Sequence, residues 1–332
     1  MNKSFIGYGL LFAALLAAPF VGAYPVFMMK LMCFALFAAA FNLLLGYTGL
    51  LSFGHAAFLG GSAYMAGHAM KVWGVTPEIG LVLGTATGAL LGWLFGVLAI
   101  RRQGIYFAMI TLALAQMVFF IALQAPFTGG EDGLQAVPRG KLFGVLDLKD
   151  DLTMYYVALV IVAAAFLLIM RTIHSPFGQV LKGIKENEPR AVSLGYDVGR
   201  FKLLAFVISA ALSGLAGSLK TLVLGFATLT DVHWSSSGSV ILMTLLGGLG
   251  TLSGPLVGAA VVVALENKIG ELGHLLASIT RVEWFNTLGE SVTIVTGLIF
   301  VVCVLAFRRG IMGEAIVLLG RGGKRAQAGG GH

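Results

Sequence analysis

Two glycine-rich segments contain the residues whose types and spacing point to chemistry. The first segment, at residues 42–58, contributes Asn42, Gly46, Gly49, Ser52, Gly54, His55 and Phe58. The second, Leu-Gly-Gly-Leu-Gly-Thr-Leu-Ser-Gly-Pro at residues 246–255, contributes Gly250 and Ser253. Glycine at this density favours an unwound turn, and inside a membrane such a turn exposes N–H and C=O groups that must be buried in protein or line a cavity. The two segments therefore predict paired broken helices around a central site.

Signatures of enzymes are absent from the sequence. No His-Glu-x-x-His, Gly-x-Ser-x-Gly or Walker A sequence occurs, and the six histidines are scattered. Cys33 and Cys303 lie in apolar stretches and indicate small buried side chains, not a disulfide or a metal site. We therefore expect no enzyme, metal or cofactor in this chain, so any ATP and Mg²⁺ must be bound by another subunit. For His55, a hydrogen bond between helices and a contact with a substrate are equally good interpretations.

The distribution of charge limits how the central site could be driven. Charged residues are kept to the margins of the apolar stretches, as Lys220 and Glu266 are. Carriers driven by protons or sodium ions usually hold an ionisable or oxygen-rich site at mid-membrane. This pattern argues against a proton antiporter, a proton pump or a charged-pore channel, while sodium coupling through backbone carbonyl groups stays open.

The composition as a whole is that of an integral membrane protein. Of 332 residues, 58% are hydrophobic and 11% are charged, whereas a soluble domain carries about 25% charged residues. About 20 residues cross the hydrocarbon core, and the stretches that approach this length are 5–23, 26–45, 50–70, 79–99, 104–124, 152–170, 203–222, 237–251, 254–267 and 290–307. The eighth and ninth are short and could form one re-entrant element, so we expect an all-α polytopic fold with about ten spans, or eight or nine. Within the fourth span, glycine recurs every four residues from Gly80 to Gly96, which predicts close helix packing.

The positions of Lys and Arg orient these spans. With the N-terminus inside, ten crossings place 14 of the 22 Lys and Arg residues, but only four of the 15 acids, in the cytoplasm. We therefore expect both termini inside, a periplasmic loop at 125–151 and a cytoplasmic loop at 171–202. Residues 1–310 form one transmembrane domain with an uncleaved first helix, and 311–332 form a basic cytoplasmic tail. The same bias accounts for the net charge of +7, so no nucleic-acid partner is expected.

Residues 175–195 predict two short helices in the cytoplasmic loop. Apolar positions alternate with polar ones from Phe177 to Glu186, as in an amphipathic helix. Pro189 suits the first turn of a second helix, and Gly195 suits its C-terminal cap. The two helices could lie on lipid headgroups or insert into a groove of a partner. Their mixture of acidic and basic residues favours a protein partner.

Five motifs occur in order along most of the chain. They are Gly-Tyr-Thr-Gly-Leu-Leu-Ser-Phe-Gly-His-Ala-Ala-Phe (46–58), Gly-Ile-Tyr-Phe-Ala-Met-Ile-Thr-Leu-Ala-Leu-Ala-Gln (104–116), Thr-Gly-Gly-Glu-Asp-Gly-Leu (128–134), Ile-Lys-Glu-Asn-Glu-Pro-Arg-Ala-Val-Ser-Leu-Gly-Tyr (184–196) and the segment at 246–255. Together they resemble the permeases of branched-chain amino-acid ABC importers, in particular the M-type subunit of the paired permease. The second motif adds Tyr106, Thr111 and Gln116 to the residues expected along a substrate passage.

The resemblance implies a multi-pass subunit in the lipid bilayer of a bacterial inner membrane. Its partners would be a second homologous permease, two ATP-binding subunits and a periplasmic solute-binding protein. The implied substrates are leucine, isoleucine and valine. Similar permeases carry urea, short amides or other amino acids, and a self-sufficient carrier or channel, or a membrane receptor or scaffold, are the competing classes.

The resemblance also implies that residues 175–195 dock on an ATP-binding subunit. The residues expected to make this contact are Phe177, Gly178, Ile184, Glu186, Glu188, Arg190, Ala191 and Gly195. In the wider importer class this loop reads Glu-Ala-Ala followed by glycine. The sequence from Glu188 to Ala191 differs from that motif, whereas Gly195 matches its glycine.

Overall fold

The computed structural model describes residues 12, 14–22, 24–280, 297, 298, 301 and 310–314, with side chains in the last long helix described as far as Asn267. The spans predicted at 5–23 and 290–307, the uncleaved first helix and the tail beyond residue 314 lie largely outside these residues. The count of ten spans therefore stays a prediction.

Within the described residues the protein is almost entirely helical. In chain order its main elements are α1 (Pro25–Thr48), α2 (His55–Lys71), α3 (Pro77–Ala99), α4 (Ile105–Gln124), β1 (Lys141–Leu142), β2 (Leu146–Asp147), α5 (Asp151–His174), α6 (Pro176–Glu186), α7 (Glu188–Ser193), α8 (Val198–Leu224), α9 (Leu229–Val232), α10 (Trp234–Gly247) and α11 (Gly254–Thr280). Short 3₁₀ turns occupy Ala18–Val21, Pro126–Thr128 and Gly130–Asp132.

Five of these helices, α1, α3, α4, α5 and α8, are long and apolar enough to cross a membrane. They coincide with five predicted spans, and local sequence explains their ends. Proline starts α1 and α3, where its missing N–H costs nothing. Glycine in the left-handed conformation ends α1 at Gly49 and α8 at Gly225. The protein is a multi-pass membrane protein of the all-α class, as its composition predicts.

The structure differs from the predicted spans at the two glycine-rich segments. The helix expected from residue 50 begins at His55, and residues 49–54 are not helical. The span expected at 237–251 is the 14-residue helix α10, which ends at Gly247, while α11 continues beyond the predicted residue 267. Positive φ angles at Gly49, Gly248 and Gly250 stop the helices at these points.

The glycine stripe of α3 packs against α8, as its four-residue spacing predicts. A Cβ atom at Gly88 would lie 2.7 Å from the carbonyl oxygen of Ala210 and 2.9 Å from the Cα atom of Gly214. The two backbones therefore approach as closely as glycine allows. α1 lies at the centre of the bundle, where it contacts α5, α8, α10 and α11.

The loop at 125–151 is ordered by contacts with the helix ends. β1 and β2 form an antiparallel hairpin, and Leu134 pairs with Ala227 in an isolated antiparallel bridge. Arg139 donates to Asp151 at 2.6 Å and to the carbonyl oxygen of Val223 at 2.8 Å. The loop thus joins the start of α5 to the end of α8.

Candidate functional site

The two glycine-rich segments, far apart in sequence, meet at the end of α1. The Gly250 amide donates to Asn42 Oδ1 at 3.0 Å, and Asn42 Nδ2 donates to the Thr251 carbonyl oxygen at 2.8 Å. Asn42 is buried. Its amide thus satisfies backbone groups of a turn that cannot make helical hydrogen bonds. We call residues 46–54 and 247–254, bridged by Asn42, the glycine junction.

Close approach explains why glycine stands at residue 46. A Cβ atom there would lie 2.8 Å from the Gly250 amide nitrogen and would also collide with Asn42 Oδ1. Any larger residue would push the two segments apart and break the bonds of Asn42. Gly54 is also confined, since its Cβ would lie 3.3 Å from the carbonyl oxygen of Thr111.

Hydroxyl groups from two other helices satisfy the backbone before α2. Ser237 Oγ of α10 donates to the Phe53 carbonyl oxygen at 2.7 Å and accepts from the Ala56 amide at 2.9 Å. Thr111 Oγ1 of α4 accepts from the Phe53 amide at 3.1 Å. Ser52 Oγ accepts from the amide of Gly54 at 3.1 Å. Ser237 was not predicted as a site residue, although the run of four serines and a glycine at 235–239 is an unusually polar start for an apolar helix.

His55 joins three helices. Its Nε2 lies 2.9 Å from Ser209 Oγ, and that hydroxyl donates its proton to the Ala40 carbonyl oxygen at 2.6 Å. Since the hydroxyl has one proton to give, His55 donates from Nε2, and Nδ1 is left as an acceptor with no partner in the described part of the chain. Phe41 and Phe58 approach the imidazole edge-to-face, with ring centroids 4.8 and 5.3 Å away. This geometry is that of a hydrogen bond between helices, which was one of the two interpretations of His55.

Of the other residues expected along the passage, Tyr106 and Gln116 lie on α4, outside the glycine junction, and Ser253 lies within it. Tyr106 is 70% exposed on α4. Gln116 is partly buried on the same helix, and Ser253 is partly buried just before α11. Their role as passage residues stays a prediction.

The segment at 175–195 folds as the two short helices that its sequence predicts. Ser175 caps α6, Asn187 caps α7, and Gly195 takes a left-handed conformation with φ of +86° after α7. Ile184 and Ala191 are buried together with Val198 at the start of α8. The segment is therefore a packed unit attached to α8.

Further contacts fix this unit to its neighbours. Phe177 stacks on Phe201, with ring centroids 5.6 Å apart, and Glu188 pairs with Lys202 at 2.7 Å. At Gly178 a Cβ would collide with backbone oxygens at the end of α5. These residues anchor the unit from the inside.

A groove opens between α6 and α7. It has a volume of about 360 Å³, and the residues lining it include Gln179, Gly183, Glu186, Asn187, Arg190 and Tyr196. Glu186 and Arg190 bring charges of both signs to its surface, and both are exposed. Of the residues expected to dock on a partner, these two are therefore accessible, whereas Ile184 and Ala191 are held in the interior of the unit.

At the other end of α8 lies a buried ion pair. Lys220, predicted at a span margin, is paired with Asp231 of α9, and the two residues are 7% and 5% exposed. Asp231 also accepts from the amide and the hydroxyl of Thr228, both at 3.3 Å. Lys30 of α1 and Glu266 of α11 lie close enough to interact electrostatically with each other. These four charged residues lie toward the end of the bundle opposite the glycine junction.

The described residues hold no cluster of three or more His, Cys, Asp or Glu side chains that could bind a metal ion. The arrangement offers backbone dipoles, hydroxyl groups and aromatic surfaces, which can contact a small solute without reacting with it.

Comparison with known proteins shows which family this sequence matches. The profile of the family described as "Branched-chain amino acid transport system / permease component" matches residues 26–306. The chain belongs to this permease family. The match covers both halves of the glycine junction and the α6–α7 unit between them.

Individual relatives are more distant. The permease is 28% identical to the high-affinity branched-chain amino acid transport system permease protein LivM of Escherichia coli strain K12, over 70% of this chain and 60% of that one. It thus spans about 60% of the length of that relative. It is also 28% identical to the ribose import permease protein RbsC of Bacillus subtilis strain 168, over 64% of this chain and 66% of that one. A solved structure of PsaBC from Streptococcus pneumoniae in complex with Fab aligns over 88% of this chain and 95% of that one, with 14% identity and a TM-score of 0.40.

Proposed function

We propose that this permease is the membrane subunit of an ATP-driven importer that moves leucine, isoleucine and valine across a bacterial inner membrane. The observation that carries the proposal is the family match over residues 26–306, which includes every segment of the candidate site. The similarity to LivM, whose name states branched-chain amino acid transport, supports the choice of substrate.

The chemistry of the glycine junction suits a zwitterion with an apolar side chain. Backbone dipoles and hydroxyl groups can meet the ammonium and carboxylate groups for a short time, and phenylalanine surfaces can contact the side chain. A passage must hold its cargo weakly, because a solute that binds tightly does not leave. The residues of the junction itself have no charged side chains, which is consistent with this requirement.

The energy would come from outside the chain. We propose that the α6–α7 unit docks on an ATP-binding subunit, where ATP and Mg²⁺ are bound, and that the groove beside Glu186 and Arg190 receives part of that subunit. The complete assembly would contain a second permease, two ATP-binding subunits and a periplasmic solute-binding protein. If nucleotide binding moves this unit, thermodynamic linkage requires that the state of the permease also changes nucleotide affinity.

A different small solute is the alternative. The similarity to a ribose import permease indicates that related permeases carry different kinds of solute. The solute-binding partner would then decide which solute arrives at the passage. Urea, short amides and other amino acids belong to the same alternative.

The test is reconstitution of the permease with its partner subunits in proteoliposomes. We expect concentrative uptake of radiolabelled leucine that requires ATP and the solute-binding protein, with ribose as the comparison solute. Accumulation of leucine by the permease alone, without nucleotide, would contradict the importer. Uptake of ribose in place of leucine would transfer the proposal to the alternative substrate.

A further inference from the structure

One ammonium group connects the α6–α7 unit to the glycine junction. Lys185 Nζ of α6 donates to the carbonyl oxygen of Gly46 at 2.7 Å. Gly46 lies in the last turn of α1, where carbonyl groups lack partners further along the helix. The carbonyl ends of the helix also carry partial negative charge, so a cation is favoured there. The bond therefore pairs a carbonyl group that lacks a helical partner and places a cation where the helix end favours one.

The stem of the same side chain packs on the backbone. A Cβ atom at Gly49 would lie 3.3 Å from Lys185 Cγ, so the lysine crosses the chain where α1 ends. Gly46 in turn touches Gly250, and Asn42 binds the amide of Gly250 and the carbonyl of Thr251. Direct contacts thus run from α6 through the end of α1 to the turn between α10 and α11.

Lys185 is otherwise an exposed residue, and an exposed lysine gains little by holding one conformation. Lys182, one turn earlier on α6, also points toward α1, but its ammonium lies over the Tyr47 ring, 5.7 Å from the centroid. Lys185 thus binds the backbone of the glycine junction, whereas Lys182 contacts an aromatic ring. This difference between two neighbouring lysines separates a specific bond from a general attraction of positive charge.

We propose that Lys185 is a positioning residue that couples the α6–α7 unit to the glycine junction, so that movement of α6 is passed directly to the ends of α1 and α10. The inference rests on the proposed function, because it assigns the route by which an ATP-binding subunit acts on the passage. Without the ammonium group, α6 can move while the junction stays in place.

The experiment compares Lys185→Met, Lys185→Arg and the matched control Lys182→Met in the complete transporter in proteoliposomes. Leucine uptake and ATP hydrolysis are measured on the same preparation. We expect Lys185→Met to hydrolyse ATP but to carry about ten-fold less leucine per ATP, because a hydrogen bond to a charged group changes an equilibrium about ten-fold or more when it is lost. Lys185→Arg should restore most of the ratio, and Lys182→Met should leave it unchanged.

Unchanged leucine per ATP in Lys185→Met overturns the inference. An equal fall in Lys182→Met also overturns it, since any positive charge on α6 would then suffice. If the unaltered transporter carries no leucine, the proposed function fails, and hydrogen–deuterium exchange of the purified chain decides the inference separately. Lys185→Met should then speed exchange of the amides at 46–54 and 247–254 about ten-fold over Lys182→Met, and equal exchange in the two variants overturns the coupling bond.

Discussion

The ion pair between Lys220 and Asp231 gives the sharpest stability prediction. Their side chains are 9% and 7% exposed, and the Lys220 ammonium lies 5.7 Å from the centroid of the Phe34 ring. We consider the change Lys220→Met, which keeps most of the apolar stem and removes the charge. The carboxylate of Asp231 is then buried without its cation.

The expected loss follows from what remains around Asp231. Removing one partner of a buried pair costs about 3–5 kcal/mol, because the other charge stays desolvated. Two bonds from Thr228 continue to stabilise the carboxylate, so we expect the lower end, about 3 kcal/mol. The double variant Lys220→Met with Asp231→Asn buries no charge, and we expect it to lose only about 1 kcal/mol.

The assay is reversible unfolding of the purified protein from mixed micelles by SDS, followed by tryptophan fluorescence. The matched control is Arg200→Met, since Arg200 and Asp197 form an ion pair whose side chains are 85% and 56% exposed. Such exposed pairs contribute about 0–1 kcal/mol. Equal losses for Lys220→Met and Arg200→Met, or a double variant as unstable as the single one, would refute the reasoning.

Three further predictions test other parts of the fold. Gly88→Leu should prevent close packing of α3 on α8 and abolish monodisperse protein in size-exclusion chromatography, whereas Gly183→Ala, at a glycine with open space around it, should behave as the unaltered protein. Ser237→Ala should lose about 1–3 kcal/mol of unfolding free energy, because it leaves the backbone groups of Phe53 and Ala56 without their partner. The control Ser193→Ala, at an exposed position, should lose clearly less, and equal losses in the two variants would contradict a structural role for the Ser237 hydroxyl. The amide and hydroxyl of Thr153 donate to Asp150, which caps α5, and lower the pKa of its carboxyl group. The ionised cap therefore stabilises the helix at pH values above the ordinary pKa of aspartate, and this stabilisation disappears as the pH falls through the lowered pKa. Smaller protection factors in the first turn of α5 on acidification, each calculated against the intrinsic exchange rate at that pH, should show this, and the same pH dependence in Asp150→Asn would contradict it.

Local sequence predicted a large part of the fold correctly. The five membrane-length helices follow from runs of apolar residues bounded by proline, glycine and polar caps. The α6–α7 unit follows from amphipathic alternation and from capping residues such as Asn187. These features depend on neighbours within a few turns, so a single sequence contains the whole signal.

Less of the candidate site could be predicted from the sequence. The glycine positions marked where helices break, yet they did not say which donors and acceptors would satisfy the broken backbone. Ser237 supplies two of those bonds and Ser209 binds His55. Neither was predicted, because Ser209 is an isolated serine in an apolar span and the serines at 235–239 do not show which of them faces the broken backbone. Lys220 was assigned to a span margin, and its burial depends on Asp231 reaching it through the turn after α8.

The sequence by itself determined that this protein is a polytopic helical permease, where its apolar helices run and where two of them break. Tertiary structure alone decided that Asn42 holds Gly250, that His55 bonds to Ser209 and that Lys185 reaches Gly46. These partners lie 208, 154 and 139 residues apart. Their meeting depends on how whole helices pack around α1, and that packing is the sum of many contacts that no short segment of sequence specifies.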